Sequence, residues 1–329
     1  MNIIYKMIWI DDSDEFIDST KELVEEIVMR KNMVPKLQIY NQFEEFQRCE
    51  LGKFDIDIFN LYDLILIDYA LSGTTGDVII RDLRKRNVYT DIVFYSSNFE
   101  EMQSELKKSN EQLDGIFFSD RNNLTSVISK VVNKNLKREY NIANIRGLIM
   151  DSTSEFDYIC RTTTLSLFDI LSEGKQQTII EKAKEYVDNA ENISKNNFIK
   201  LAKKNGSNFL KNAMDSVEYV MNNKDKYSLM SLVVREFENN PTLGEGFSEH
   251  YQAELITPRN DLAHNRLFYG NCQKKLHIAK RKEELSCDDN CDSCKTKYSI
   301  DECEHLRETI FKYYLLLSRL TETADELIR

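Results

Sequence analysis

At 329 residues the chain can hold two domains of ordinary size, each with its own core. With 41% apolar and 30% charged residues it reads as globular throughout, and its net charge of −11 excludes a broad, non-specific nucleic-acid footprint. The longest apolar runs, LILI at 64–67 and YYLLLS at 313–318, fall short of the roughly 20 residues that a bilayer crossing needs, and MNIIYKMIWIDD reaches carboxylates before a signal-peptide pattern forms, so a cytoplasmic location is expected.

The first elements alternate. Residues 3–10 (IIYKMIWI) are strand-like and end in Asp11-Asp12, EFIDSTKELVEEIVMR follows at helical spacing, and KLQIY (36–40) is again a strand. LYDLILID (61–68) reads as a buried strand, GDVIIRDLRKR (76–86) as a helix, DIVFYSS (91–97) as a strand and NFEEMQSELKKS (98–109) as a helix. GIFFS (115–119) and NNLTSVISKVVNKNL (122–136) close the series. Five strands alternating with helices predict an α/β domain over 1–137, a doubly wound parallel sheet whose active groups gather at the carboxyl ends of the strands. From 138 to 329 strand patterns give way to amphipathic helices, predicted at 140–150, 154–172, 175–193, 195–222, 226–238, 246–256, 258–269 and 300–328, an all-α bundle. The stretch between the halves, KVVNKNLKREYNIANI, has neither proline nor glycine, so the junction is expected to be stiff.

In the first half, Asp11 and Asp12 follow the first strand and Asp68 ends the third, so the sheet brings three carboxylates to one edge. All-oxygen donors of this kind suit Mg²⁺, which keeps several waters and needs few protein ligands. This order of elements, with Asp68, Gly76 and Ser96, resembles the receiver domain of two-component response regulators over residues 1–136. The resemblance implies a flavodoxin-like fold, Asp68 as phosphoryl acceptor, Mg²⁺ held by Asp11, Asp12 and Asp68, Ser96 bonded to the phosphoryl oxygen, and a sensor histidine kinase or phosphotransfer protein as partner. The family's lysine at the end of the fifth strand is missing: Ser119 or Asp120 stands there, with Arg121 close by. A P-loop ATPase is disfavoured because no G-x-x-x-x-G-K occurs, and a dinucleotide site because the first turn is DDSDE.

In the second half, TPRNDLAHNR (257–266) reads as a helix start. Thr257 suits the N-cap, Pro258 the first helical position, and Arg259 would sit in a first turn already suited to anions. Asn260 and His264, at i and i+4, share a face. The stretch resembles the R-x4–6-H signature of HEPN domains, which lies in an all-α bundle. That resemblance implies metal-independent RNA cleavage, with His264 as general acid or base, Arg259 neutralising phosphorane charge and Asn260 orienting the phosphate. It also implies a homodimer with two facing motifs, used as a toxin or anti-phage effector. The plainer alternative is a capped helix with polar residues on its surface. Upstream, Glu155, Asp157 and Arg161 could line the same cleft, with helix-surface charge the plainer account of each.

Five cysteines, Cys272, Cys287, Cys291, Cys294 and Cys303, crowd the end of the chain. C-x3-C-x2-C-x8-C from Cys287 to Cys303 fits a tetrahedral structural Zn²⁺ in a loop spanning about 270–305, with Cys272 or His277 as substitute ligands and free buried cysteines as the alternative. Ser299 and Glu302 form a capping box that would put Cys303 in a first helical turn, where the dipole favours a thiolate. Together these readings predict a signal-controlled endoribonuclease. A non-catalytic adaptor or antitoxin-like protein, whose helical half binds protein or nucleotide, is the second reading.

Overall fold

The computed structural model describes residues 3–42, 45–46, 48, 62–109, 115–139, 142–188, 206–214, 221–237, 243, 246–269, 276–279 and 300–329. The chain divides into two compact units, Met1–Tyr140 and Asn141–Arg329.

The first unit runs β1 (Ile4–Ile10), α1 (Asp14–Met29), β2 (Val34–Tyr40), β3 (Leu64–Asp68), β4 (Ala70–Leu71), β5 (Thr74–Thr75), α2 (Gly76–Lys85), β6 (Ile92–Ser96), α3 (Phe99–Ser109), β7 (Ile116–Asp120), a 3₁₀ turn (Arg121–Asn123) and α4 (Leu124–Glu139). Strands β2-β1-β3-β6-β7 form a five-stranded sheet in that order, every pair parallel. Counting only these strands, the order is 2-1-3-4-5, the doubly wound arrangement whose chain reversal lies between the first and third strands. Alternation within each strand makes the two layers. Tyr5, Met7, Trp9, Leu64, Leu66, Val93 and Tyr95 pack with Ile17, Val24 and Val28 of α1 and Leu124, Ile128 and Val131 of α4. On the opposite face Ile8, Ile10, Ile65, Ile67, Ile92 and Phe94 meet Ile79, Ile80 and Leu83 of α2 and Met102 of α3. With both faces covered, β3 and β6 are buried at every position, as the apolar runs LILI and IVFY ahead of Asp68 and Ser96 require. The small β4–β5 hairpin, absent from the sequence reading, leads from β3 into α2.

Gly76 is fixed by contact. A Cβ there would lie 2.4 Å from the Asp68 carbonyl oxygen, 2.6 Å from Phe94 Cε2 and 2.9 Å from Ile67 Cγ2, so only glycine lets α2 begin this close to the end of β3.

The second unit contains α5 (Ile142–Asp169), α6 (Glu173–Asp188), α7 (Gly206–Met214), α8 (Asn223–Val234), α9 (Phe247–Tyr251), a π-helical segment (Gln252–Ile256), α10 (Thr257–His264), the strands β8 (Arg266–Tyr269) and β9 (Leu276–Ala279), and α11 (Ile300–Ile328). Helix α5 packs against α8, α10 and α11, and α6 against α7 and α8. Four expectations are corrected here. The break predicted between 150 and 154 does not occur: Thr153 Oγ1 donates to Ile149 O (2.8 Å) and Ser154 Oγ to Met150 O (2.9 Å), so these hydroxyls bond back to the helix instead of diverting it.

The helix predicted over 258–269 ends at His264, because Asn265 is extended (φ −108°, ψ 151°). Residues 266–269 then pair antiparallel with 276–279, so the second unit is not free of strands. Thr257 is not an N-cap. Its backbone is helical (φ −62°, ψ −52°), and the actual start is Phe247, after Gly246 at φ +73°. Pro258 therefore lies inside a helical run; the π turn before it widens the backbone where the proline ring would crowd a carbonyl one turn back, and Thr257 Oγ1 donates to Gln252 O at 3.0 Å. Among the described residues no helix is long and apolar enough to cross a membrane.

Candidate functional site

The carboxyl ends of β1, β3 and β6 converge, and the side chains predicted from them meet. Asp11 and Asp68 are buried, at 0% and 1% exposure, with Ser96 at 1%. Asp68 Oδ2 accepts from Ala70 N (2.9 Å), and Asp11 Oδ1 accepts from Ser13 N (2.8 Å). Asp12 stands at the rim, its Oδ2 accepting from Ser72 N (2.8 Å) and Ser72 Oγ (2.6 Å). Ser96 Oγ accepts from Asn98 N (3.0 Å), which leaves its own O–H to donate.

Tyr95, which no motif marks, and Arg121, which the sequence places only near the end of β7, complete the pocket. Tyr95, on the strand beside β3, donates its hydroxyl to Asp11 Oδ2 while accepting from Trp9 Nε1, a buried relay beneath the pocket. Arg121 supplies the cation. Neither Ser119 nor Asp120 turns to the carboxylates: Ser119 Oγ donates to Asp120 O (2.8 Å), and Asp120 caps the 3₁₀ turn through Asn123 N (3.0 Å). That turn aims Arg121 inward, with Nη2 at 3.3 Å from Asp68 Oδ1 and 3.5 Å from Asp11 Oδ1, and its guanidinium 4.6 Å from the Phe16 ring centre.

The electrostatics follow from burial. Desolvation, then the Asp11 charge, push the Asp68 carboxyl up to about 7 against the opposing pull of Arg121. Asp11 is likewise raised, by burial first, although Tyr95, Ser13 and Arg121 all favour its charged form. Two buried carboxyls whose charged forms this burial disfavours make a site that gains from added positive charge, and their hard oxygen donors fit Mg²⁺.

In the second unit, Arg259 is half-buried and its Nη1 donates to Asn260 Oδ1 at 3.0 Å, while Asn260 and His264 are exposed on α10. With the helical run starting at Phe247, Arg259 does not lie in a first turn, so the expected anion-binding helix terminus is not there. Asp157 is not simple surface charge. It is half-buried, accepts from Tyr227 OH (3.3 Å) and Asn223 Nδ2 (3.5 Å), and is raised by burial against the charges of Lys226 and Arg259. Glu155 is exposed and Arg161 half-buried. Arg146, unmarked by any motif, donates from Nη2 to Asn265 O (2.9 Å), a cation at the carbonyl end of α10.

Cys272, Cys287, Cys291, Cys294 and Ser299 lie outside the described residues. Cys303 is buried in the first turn of α11, and burial, with the Glu302 charge, pushes its thiol up to about 11, opposite to the thiolate expected from the dipole. Among the described residues no group of three or more His, Cys, Asp or Glu side chains is arranged to hold a metal.

No protein-family model matches the chain, and no curated protein matches it. Among solved structures it is similar to a response regulator receiver domain protein from Clostridium thermocellum, at 16% identity and a TM-score of 0.32, over 41% of this chain and 97% of that one. It is similar also to response regulator DrrB, an OmpR/PhoB homologue from Thermotoga maritima, at 14% identity and a TM-score of 0.29, over 41% of this chain and 54% of that one. The chemistry of the pocket rests on its own geometry.

Proposed function

We propose that the first unit is a receiver in which Asp68 accepts a phosphoryl group from a sensor histidine kinase or phosphotransfer protein, and that this event controls RNA cleavage by the second unit. The observation that carries the first half is the burial of Asp68 and Asp11 around a single guanidinium nitrogen, 3.3 and 3.5 Å away, at the carboxyl edge of a 2-1-3-4-5 sheet. An Asp68 oxygen attacks phosphorus, the bond from phosphorus to the donor breaks, and the donor leaves with the electron pair. Mg²⁺ held by Asp11 and Asp68, joined by Asp12 once it turns from Ser72, would neutralise charge building on the phosphoryl oxygens. The free Ser96 O–H donates to one of those oxygens.

In the second unit the proposed endoribonuclease uses His264 to take the proton of a ribose 2′-hydroxyl or to protonate the departing 5′-oxygen, with the second copy's histidine or water handling the other proton. The 2′-oxygen attacks phosphorus and the P–O5′ bond breaks, leaving a 2′,3′-cyclic phosphate and a 5′-hydroxyl. Arg259 neutralises the phosphorane and Asn260 orients it. Exposure of Asn260 and His264 on one helix face supports this reading, with a homodimer bringing two such faces together. Structural Zn²⁺ at Cys287, Cys291, Cys294 and Cys303 is supported by their spacing.

A second reading, a non-catalytic adaptor, is favoured by the position of Arg259 within a helical run instead of at a helix terminus. RNA incubated with the wild type and with His264→Ala, with and without Mg²⁺ and an acyl phosphate, separates the two. Cleavage by the wild type alone supports the ribonuclease; intact RNA under every condition leaves the adaptor.

A further inference from the structure

We propose that Arg121 is the phosphoryl-binding cation of this pocket and that it competes with divalent metal for Asp11 and Asp68. The inference rests on the reading of Asp68 as phosphoryl acceptor. A lysine would reach the carboxylates from the end of β7, but here that place holds Ser119, whose hydroxyl is turned to the Asp120 carbonyl oxygen, and Asp120, whose carboxylate caps the turn that follows. The charge comes instead from the first residue of the following 3₁₀ turn, and Asp120 fixes that turn through both the backbone and the side chain of Asn123 (3.0 and 2.7 Å).

Arginine at this place differs from lysine in two ways. Its guanidinium is planar and delocalised, and it presents five N–H donors in a fixed fork. Only Nη2 meets the carboxylates, whereas Nε is buried without a hydrogen-bond partner among the described residues. The Phe16 ring under the guanidinium, 4.6 Å from its centre, limits where the fork can swing. A fork held this way has donors to spare for an incoming phosphoryl group, to which guanidinium binds in charge-assisted pairs.

The same geometry makes Arg121 a rival to metal. It lies within 3.5 Å of oxygens on two of the three carboxylates that would hold Mg²⁺, so two cations draw on one pair of anions. Attack of Asp68 on an acyl phosphate breaks the P–O bond to the acyl group, releases a carboxylate, and changes Asp68 from one negative charge to an acyl phosphate bearing two. That added charge gives Arg121 a new partner and removes the rivalry.

The test uses the full chain with Mg²⁺ and acetyl phosphate. Trp9, the only tryptophan, donates to Tyr95, which donates to Asp11, so its emission reports metal binding at the pocket. In Arg121→Ala the Mg²⁺ midpoint should fall roughly five- to tenfold, as expected when a like charge is removed from beside a cation site. Phosphoryl labelling of Asp68 should fall roughly tenfold or more in the same variant. Arg121→Lys and the double variant Ser119→Lys/Arg121→Ala should recover part of the labelling, with thermal melts confirming that each is folded. Metal affinity and labelling that are unchanged, or that fall together without rescue by lysine, overturn the assignment while leaving Asp68 as acceptor. A wild type that binds Mg²⁺ but is never labelled overturns both.

Discussion

Replacing Asp68 by asparagine should make the first unit more stable at pH 8 and leave it almost unchanged at pH 4.5. Asp68 is 1% exposed, and its carboxyl titrates near 7 when folded, against about 3.9 when unfolded. The folded state therefore binds the Asp68 proton more tightly than the unfolded chain does. Its contribution to stability is complete below about pH 4 and is lost as pH rises through 7. Three units of pKa correspond to about 4 kcal/mol as an upper bound, and relaxation around Arg121 should leave about 1–3 kcal/mol to be measured. Asparagine keeps an oxygen for Ala70 N–H and carries no charge, so it removes the penalty without a cavity. Thermal melts of both proteins in a chelator, from pH 4.5 to 8.5, should diverge only as pH rises, and Mg²⁺ should narrow the gap by stabilising the wild type. A gain equal at both ends of the range, or a loss at pH 8, would refute the claim that burial and the Asp11 charge hold this carboxyl up.

Gly76→Ala puts a methyl 2.4 Å from a backbone oxygen that cannot move freely, so the first unit should lose about 3 kcal/mol by chemical denaturation; a loss below about 1 kcal/mol would mean that α2 shifts easily. Tyr95→Phe removes the hydroxyl between Trp9 and Asp11 and leaves a buried indole N–H unpaired, so stability should fall by about 1–3 kcal/mol with a change in Trp9 emission. Pro258→Ala, within a helical run, should stabilise the second unit by about 1 kcal/mol in thermal melts; destabilisation would restore Pro258 as a helix-starting residue.

The sheet is legible because strands covered on both faces must be largely apolar, as LILI and IVFY are ahead of Asp68 and Ser96, and the carboxylate cluster because Asp11 and Asp12 follow β1 directly and Asp68 ends β3. The cation was harder to read. Ser119 and Asp120 come first in the chain, and only the 3₁₀ turn capped by Asp120 sends Arg121 inward. In the sequence Tyr95 is one more buried strand residue, since its role depends on its neighbours Trp9 and Asp11 across the sheet. Thr257-Pro258 has the local preference of an isolated helix start, whereas here the preceding π turn absorbs the proline. RLFY at 266–269 reads as helix because its apolar residues continue that spacing, and the pairing that makes it a strand comes from residues 276–279.

The central claim, that Asp68 is a phosphoryl acceptor, is tested most directly by mass spectrometry of the intact chain and its peptides after treatment with acetyl phosphate and Mg²⁺. The account predicts one added phosphoryl group on the peptide containing Asp68, removed by hydroxylamine and absent from Asp68→Asn. No added mass, or the same added mass in Asp68→Asn, would contradict it.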